Sequence, residues 1–116
     1  MPEPAAPTRY LTLEIDRTKD VAVVRCHGQL VSGLTEILYS NVRPMIPDTK
    51  RIVLDLSDLT YMDSMGLGTL VSLYTSARAA GCEMQLFNIG KRIRELLGLT
   101  NLLSVFTIIG EHGIRF

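Results

Sequence analysis

The feature that most constrains this fold is a buried-strand pattern followed at once by a helical pattern, between Arg51 and Gly81. Residues 52–56 are nearly all apolar, which is typical of a central strand with a layer on each face. After a short polar loop, apolar residues recur at helical spacing: Leu67, Leu70, Val71, Tyr74 and Ala77. Gly81 is a natural left-handed stop for that helix. A strand that leads into a returning helix is the unit of a parallel sheet.

Patterns on both sides of this unit complete the element order. The predicted elements are strands at 9–15, 21–26, 52–56, 83–89 and 105–109, and helices at 30–47, after Ser64, and at 91–99. Ser32 or Thr35 is expected to cap the first helix, and Pro44 and Pro47 to end it. The sequence therefore predicts an α/β fold of order β-β-α-β-α-β-α-β. Its sheet is mixed and mostly parallel, with about five strands and helices packed against it.

Size and charge narrow the functional classes. With 116 residues the chain fits one domain, expected at 9–116 after a loose Pro- and Ala-rich tail at 1–8. The formal net charge is zero, which argues against a nucleic-acid partner. There is no apolar run of about 18 residues and no signal peptide pattern, so we expect a cytoplasmic protein without a membrane partner. Cys26 and Cys82 lack metal-binding spacing and are expected to be reduced thiols.

The only side chains that suggest enzyme chemistry are three neighbouring aspartates. Asp55, Asp58 and Asp63 fall near one end of the third strand, where they would bind Mg²⁺ or act as an acid/base pair. The plainer interpretation is that they solvate the loop and cap turns. Neither His27 nor His112 has a partner identifiable from sequence, so no catalytic triad is defined. We therefore expect no enzyme activity, no metal site and no cofactor.

A glycine pair opens the second predicted helix. Gly66-Leu-Gly68 lacks the third glycine of a dinucleotide site and the lysine of a phosphate-binding loop. The pair is better explained as a place where the helix approaches the sheet closely.

Ser64 lies at the start of the second predicted helix and has two interpretations. As an N-cap, its hydroxyl would accept a first-turn N–H, which is worth about 1 kcal/mol. As a phosphorylation site, it would place a phosphate at a helix N-terminus, which gains roughly 0.3–1 kcal/mol when exposed.

The residues around Ser64 carry a family resemblance. Ile52-Val-Leu-Asp-Leu-Ser-Asp-Leu-Thr-Tyr-Met-Asp-Ser-Met-Gly-Leu-Gly68 resembles the signature of STAS domains. It is most similar to the bacterial single-domain anti-sigma factor antagonists, whose motif is a strand followed by Asp-Ser-Ser/Thr-Gly-Leu-Gly opening a helix. The stretches 81–87 and 93–103 are also similar, so the likeness runs from about Leu11 to Ile109.

The resemblance implies a switch between partners. In this family the unphosphorylated antagonist binds an anti-sigma factor that is also a GHKL-type serine kinase, and so releases a sigma factor. Phosphorylation of the serine breaks the complex, and a PP2C-type phosphatase restores it. Applied to this chain, the resemblance implies that Ser64 is the phosphoacceptor. The protein is expected to be a monomer or weak dimer. The implied partner-binding surface comprises Gln29, Val31, Asp63, Ser64, Met65, Gly66 and Leu67.

Two departures from the family pattern bear on this expectation. The family's Gly-Glu-Leu-Asp stretch is Gly28-Gln29-Leu30-Val31 here, so an acidic residue expected near the serine is absent. Met65 replaces the second hydroxyl residue and offers a flexible apolar contact. Val31 favours an alternative, in which the domain is never phosphorylated and serves as a scaffold in a stress-signalling assembly or as the small subunit of a lipid transporter.

Overall fold

The computed structural model describes residues 9–91, 93–95 and 107–109. Its strands and helices, in chain order, are β1 (Leu11–Arg17), β2 (Val21–Leu30), α1 (Thr35–Val42), a 3₁₀ segment (Arg43–Asp48), β3 (Arg51–Met62), α2 (Ser64–Ala79), β4 (Glu83–Phe87) and β5 (Thr107–Ile109). Residues 91 and 93–95 are helical, as predicted. The rest of that predicted helix, the start of the last predicted strand and the predicted tail at 1–8 lie outside the described residues.

The strands form a single sheet in the order β1-β2-β3-β4-β5. β1 pairs antiparallel with β2, with Leu11 opposite Gly28. The pairs β2–β3, β3–β4 and β4–β5 are parallel. The connection from β2 to β3 runs through α1, and the connection from β3 to β4 runs through α2. This topology confirms the predicted mixed, mostly parallel sheet with β3 at its centre.

The core lies between one face of the sheet and the helices. Its largest fully buried side chains are Leu30, Leu38, Ile46, Ile52, Leu54, Leu56, Leu70, Leu73, Leu86, Val24 and Val42. The opposite face carries Val53, which is buried but lies outside that core and lines a shallow groove of about 250 Å³ with Val21 and Phe87. No helix lines that groove among residues 9–91, 93–95 and 107–109. The expected second layer over β3 is therefore not found in the described part of the chain.

Three predicted details are wrong. The pattern predicts that the strand ends at residue 56 in a polar loop, but β3 continues to Met62, because Asp58, Leu59, Tyr61 and Met62 still pair with β2. The predicted helix at 30–47 is a shorter α-helix followed by the 3₁₀ segment, in which Pro44 and Pro47 remove backbone donors. Its N-cap is Leu34, without a side-chain hydrogen bond, rather than Ser32 or Thr35.

No helix in the described ranges is long and apolar enough to cross a bilayer.

Both cysteines are buried free thiols. Burial raises the pKa of Cys26 to about 12, with a smaller contribution from the nearby charge of Asp55. At neutral pH this side chain is a protonated, small apolar residue of the core rather than a nucleophile.

Candidate functional site

Ser64 is the first residue of α2, and its neighbour Asp63 is the N-cap. Asp63 has an extended backbone, and its Oδ1 accepts a hydrogen bond from the Gly66 N–H at 3.0 Å. The interpretation of Ser64 as the cap is therefore wrong, because Asp63 already performs that role. The Ser64 side chain is exposed, and its hydroxyl has no hydrogen-bond partner among the described residues. The serine is chemically available at the surface.

Asp63 also joins α2 to the loop that follows β2. Its second carboxylate oxygen, Oδ2, accepts the backbone N–H of Ser32 at 2.9 Å. Its own backbone N–H donates to the Leu30 carbonyl at 3.3 Å. Partial burial raises the pKa of Asp63, but the backbone N–H groups of Ser32, Gly66 and Met65 outweigh it and hold that pKa below its ordinary value. Asp63 is therefore a carboxylate beside Ser64 at neutral pH.

Gly66 is where α2 comes closest to the end of β2. A Cβ atom on Gly66 would lie 2.2 Å from the Leu30 carbonyl oxygen and 2.8 Å from Met62 Cγ. The expectation that glycine permits a close approach of helix and sheet is confirmed at this position. It is wrong for Gly68, where a Cβ would meet nothing within 4 Å.

The seven residues of the predicted partner surface divide by exposure. Ser64 and Met65 are exposed, Met65 by 57%, and Gln29 and Asp63 are half-buried. The other three are buried and offer little surface to a partner: Val31, Gly66 and Leu67. The apolar side chain at position 31 thus suits its covered place in the loop after β2.

A groove runs between α1 and α2 beside Ser64. Its cavity volume is about 330 Å³, and its lining residues are Thr35, Glu36, Tyr39, Ser64, Met65, Gly68, Thr69 and Ser72. Sequence reasoning missed the three α1 residues because their approach to α2 depends on how both helices pack on the sheet. Gly68 was visible in the sequence, but the open space around it is seen only in the structure.

The predicted carboxylate cluster is not assembled. Asp55 accepts hydrogen bonds from Ser57 and lies 3.9 Å from Arg25, whereas Asp63 is engaged at the helix start. Asp58 lies on β3 next to His27, at 2.6 Å. Each carboxylate has its own partner, and in the described ranges no group of three metal-binding side chains is close enough to hold an ion. The three carboxylates therefore do not form one shared cation site in the described ranges.

His27 lies between two carboxylates that come from neighbouring strands. Its Nδ1 is 2.6 Å from Asp58 Oδ2, and its covered Nε2 is 3.3 Å from Glu14 Oε1, in an ion-pair contact not aligned as a hydrogen bond. The Asp58 contact, followed by Glu14, raises the pKa of His27. The sequence did not reveal Asp58 as a partner because an irregularity in the β2–β3 register changes which β3 residues face this side.

The double role of Asp63 predicts a specific effect of Asp63→Asn. Asparagine keeps a carbonyl oxygen for the Gly66 N–H, but its amide group cannot accept from Ser32. We expect a loss of about 1–2 kcal/mol in the free energy of unfolding at neutral pH. Because the pKa of Asp63 is lowered by folding, its contribution is present above the unfolded pKa and is lost as pH falls through the folded pKa.

Denaturant unfolding at neutral pH and in acid measures both effects of Asp63→Asn. The difference from wild type should shrink in acid. Asp48→Asn is a matched control, because Asp48 is exposed and no hydrogen bond involves its side chain in the described structure. Equal stability of Asp63→Asn and wild type at neutral pH would show that the Ser32 contact contributes nothing.

Comparison with known proteins adds a family match and a set of relatives. The STAS domain family matches residues 12–113. The anti-sigma F factor antagonist of Paenibacillus polymyxa is 27% identical over 100 residues, which cover 84% of this chain and 86% of the relative. The chain also resembles solved structures of the anti-sigma factor antagonist SpoIIAA. The unphosphorylated form has a TM-score of 0.74 at 19% identity, covering 87% of this chain and 90% of that one.

A second SpoIIAA structure is of the phosphorylated form. It has a TM-score of 0.69 at 19% identity, and the match covers 87% of this chain and 94% of that one. At these identities the structural likenesses show a shared fold.

Proposed function

This chain belongs to the STAS domain family, and we propose that it is an anti-sigma factor antagonist whose binding to its partner is abolished by phosphorylation of Ser64. The Paenibacillus polymyxa relative that carries this name matches most of both chains. The structural neighbour SpoIIAA exists in an unphosphorylated and a phosphorylated form on the same fold. Both observations support a protein of this regulatory class.

The observation that carries the proposal is the exposed Ser64 hydroxyl at the first position of α2. It has no internal partner in the described structure, since Asp63 has taken over the capping of the helix. A kinase can therefore modify Ser64 without breaking a hydrogen bond of the domain. The charged Asp63 beside it adds to the negative charge that the phosphate brings, about −1.5 to −2 at neutral pH.

In this proposal the unphosphorylated domain, residues 9–116, acts in the cytoplasm as a monomer or weak dimer. It binds an anti-sigma factor that is a GHKL-type serine kinase, and a sigma factor is released. The kinase phosphorylates Ser64, the complex dissociates, and a PP2C-type phosphatase restores the binding form. The domain itself contributes surface and a phosphoacceptor rather than catalytic groups.

Phosphoryl transfer to Ser64 tests the proposal directly. The immobilised domain is used to capture a GHKL-type kinase from lysate of the native cells, and the purified kinase is then incubated with the domain and ATP. We expect a mass increase of one phosphate, located at Ser64 by peptide mass spectrometry and absent in Ser64→Ala. Thr75→Ala, which removes an exposed hydroxyl of the same helix outside the groove, should still be phosphorylated. A captured kinase that leaves Ser64 unmodified would contradict the proposal.

A further inference from the structure

The groove between α1 and α2 has space and a face suited to another helix. Ser64, Gly68 and Ser72 succeed one another along α2 at intervals of four residues, and all three line the groove. This row spans two turns, or about 12 Å of helix. A Cβ added at Gly68 would meet no atom within 4 Å, so the middle of the groove is open. Met65, which is 57% exposed, lies along the same lining.

The charge of the groove indicates what chemistry would fit it. Glu36 is the single formally charged residue among those that line it, and its side chain is exposed. Within the part of the chain that the structure describes, Glu36 has no ion pair, unlike the carboxylates Asp16 and Asp58 on the sheet. The other polar residues of the lining carry hydroxyl groups: Thr35, Tyr39, Ser64, Thr69 and Ser72. A partner that brings a positive charge to Glu36 would complement this surface.

Resting on the proposed function, we propose that this groove receives a helix of the anti-sigma kinase that carries a Lys or Arg opposite Glu36. An apolar side chain of that helix occupies the open space over Gly68, in contact with the adaptable Met65 side chain. Because Ser64 lies at one end of the same lining, the docked helix leaves its hydroxyl open to the kinase active site, and a phosphate added there crowds the end of that helix. Docking and the phosphorylation switch then share one surface.

Two substitutions test the groove by different physical means. Gly68→Leu fills the open space, and since nothing lies near its Cβ and leucine favours helix, the domain should fold with undiminished thermal stability. Glu36→Lys reverses the charge. We expect each to weaken kinase binding by at least about tenfold in titration calorimetry with the purified kinase. The matched controls Ala79→Leu and Glu95→Lys, at exposed residues outside the groove, should bind as wild type does.

The outcomes separate this inference from the proposed function. One result would be that wild type binds the kinase and Ser64→Asp fails to bind it, while Gly68→Leu and Glu36→Lys bind like wild type. That result would show that the groove is not the docking site, and it would still support the Ser64 switch. If Gly68→Leu instead abolishes self-association and leaves kinase binding unchanged, a second copy occupies the groove and the inference is also overturned. If wild type binds no such kinase, the proposed function fails and the inference with it.

Discussion

Ser64→Asp is expected to lower the affinity for the anti-sigma kinase by at least about 100-fold, or about 2.7 kcal/mol, while Ser64→Ala stays within a few-fold of wild type. The new carboxylate would lie beside Asp63, whose backbone hydrogen bonds keep it charged, and along a groove whose one charged residue is Glu36. A partner that covers this surface, with its one cation matched to Glu36, would bury the new carboxylate without a counter-charge, and an unpaired buried charge costs several kcal/mol. A doubly charged phosphate should act more strongly than a singly charged aspartate. Titration of the purified kinase with each variant measures the difference.

The switch should act directly, without refolding the domain. A phosphate at the start of α2 gains only about 0.3–1 kcal/mol from the helix dipole, far below the roughly 5.5 kcal/mol needed to empty a nearly full complex. The Gly66 N–H is already bound by Asp63, and the groove lining holds no Lys or Arg to draw a phosphate inward. Backbone amide shifts in Ser64→Asp should therefore stay near the site.

Two results would contradict a direct switch at Ser64. Large amide shifts in β1, at the far edge of the sheet, would indicate a change of fold instead of a change of surface. Thr75→Asp adds the same charge at an exposed position of α2 outside the groove. If it weakened binding as much as Ser64→Asp does, general charge repulsion rather than the position of Ser64 would be responsible.

The elements that the sequence predicted well are those whose signal is local. The apolar run in β3, the helical spacing in α2 and the left-handed Gly81, with φ +76, each follow from a few neighbouring residues. Together with the strand and helix order they determine a parallel sheet with β3 at its centre. The position of Ser64 next to the start of α2 was available for the same reason.

The identity of the helix cap was not predictable from the sequence alone. Asp63 and Ser64 are both good N-cap residues, and the choice depends on where β3 ends. That end is set by pairing with β2, which runs on to Leu30 opposite Met62. The contact between His27 and Asp58 was missed for a related reason, since the register irregularity places an even-numbered β3 residue beside an odd-numbered β2 residue. Non-local pairing decided both cases.

Gly66→Ala is expected to reduce the free energy of unfolding by about 2–3 kcal/mol, a large part of a typical total of about 5–15 kcal/mol. The added methyl group would lie 2.2 Å from the Leu30 carbonyl oxygen. That oxygen is a backbone atom that also accepts the Asp63 N–H, so it cannot turn aside as a flexible side chain would. Either α2 or the end of β2 must shift, which also displaces Asp63 and the exposed Ser64 beside it.

Gly68→Ala provides the matched control for Gly66→Ala, because it makes the same chemical change in the same turn of α2 with nothing within 4 Å of the new methyl group. We expect it to stabilise the domain by about 0.5–1 kcal/mol, as alanine does in place of glycine in a helix. In denaturant unfolding, we expect Gly66→Ala and Gly68→Ala to shift the midpoint in opposite directions while the slope stays unchanged. If both variants shifted it in the same direction, the contact of Gly66 with Leu30 would not be what requires glycine there.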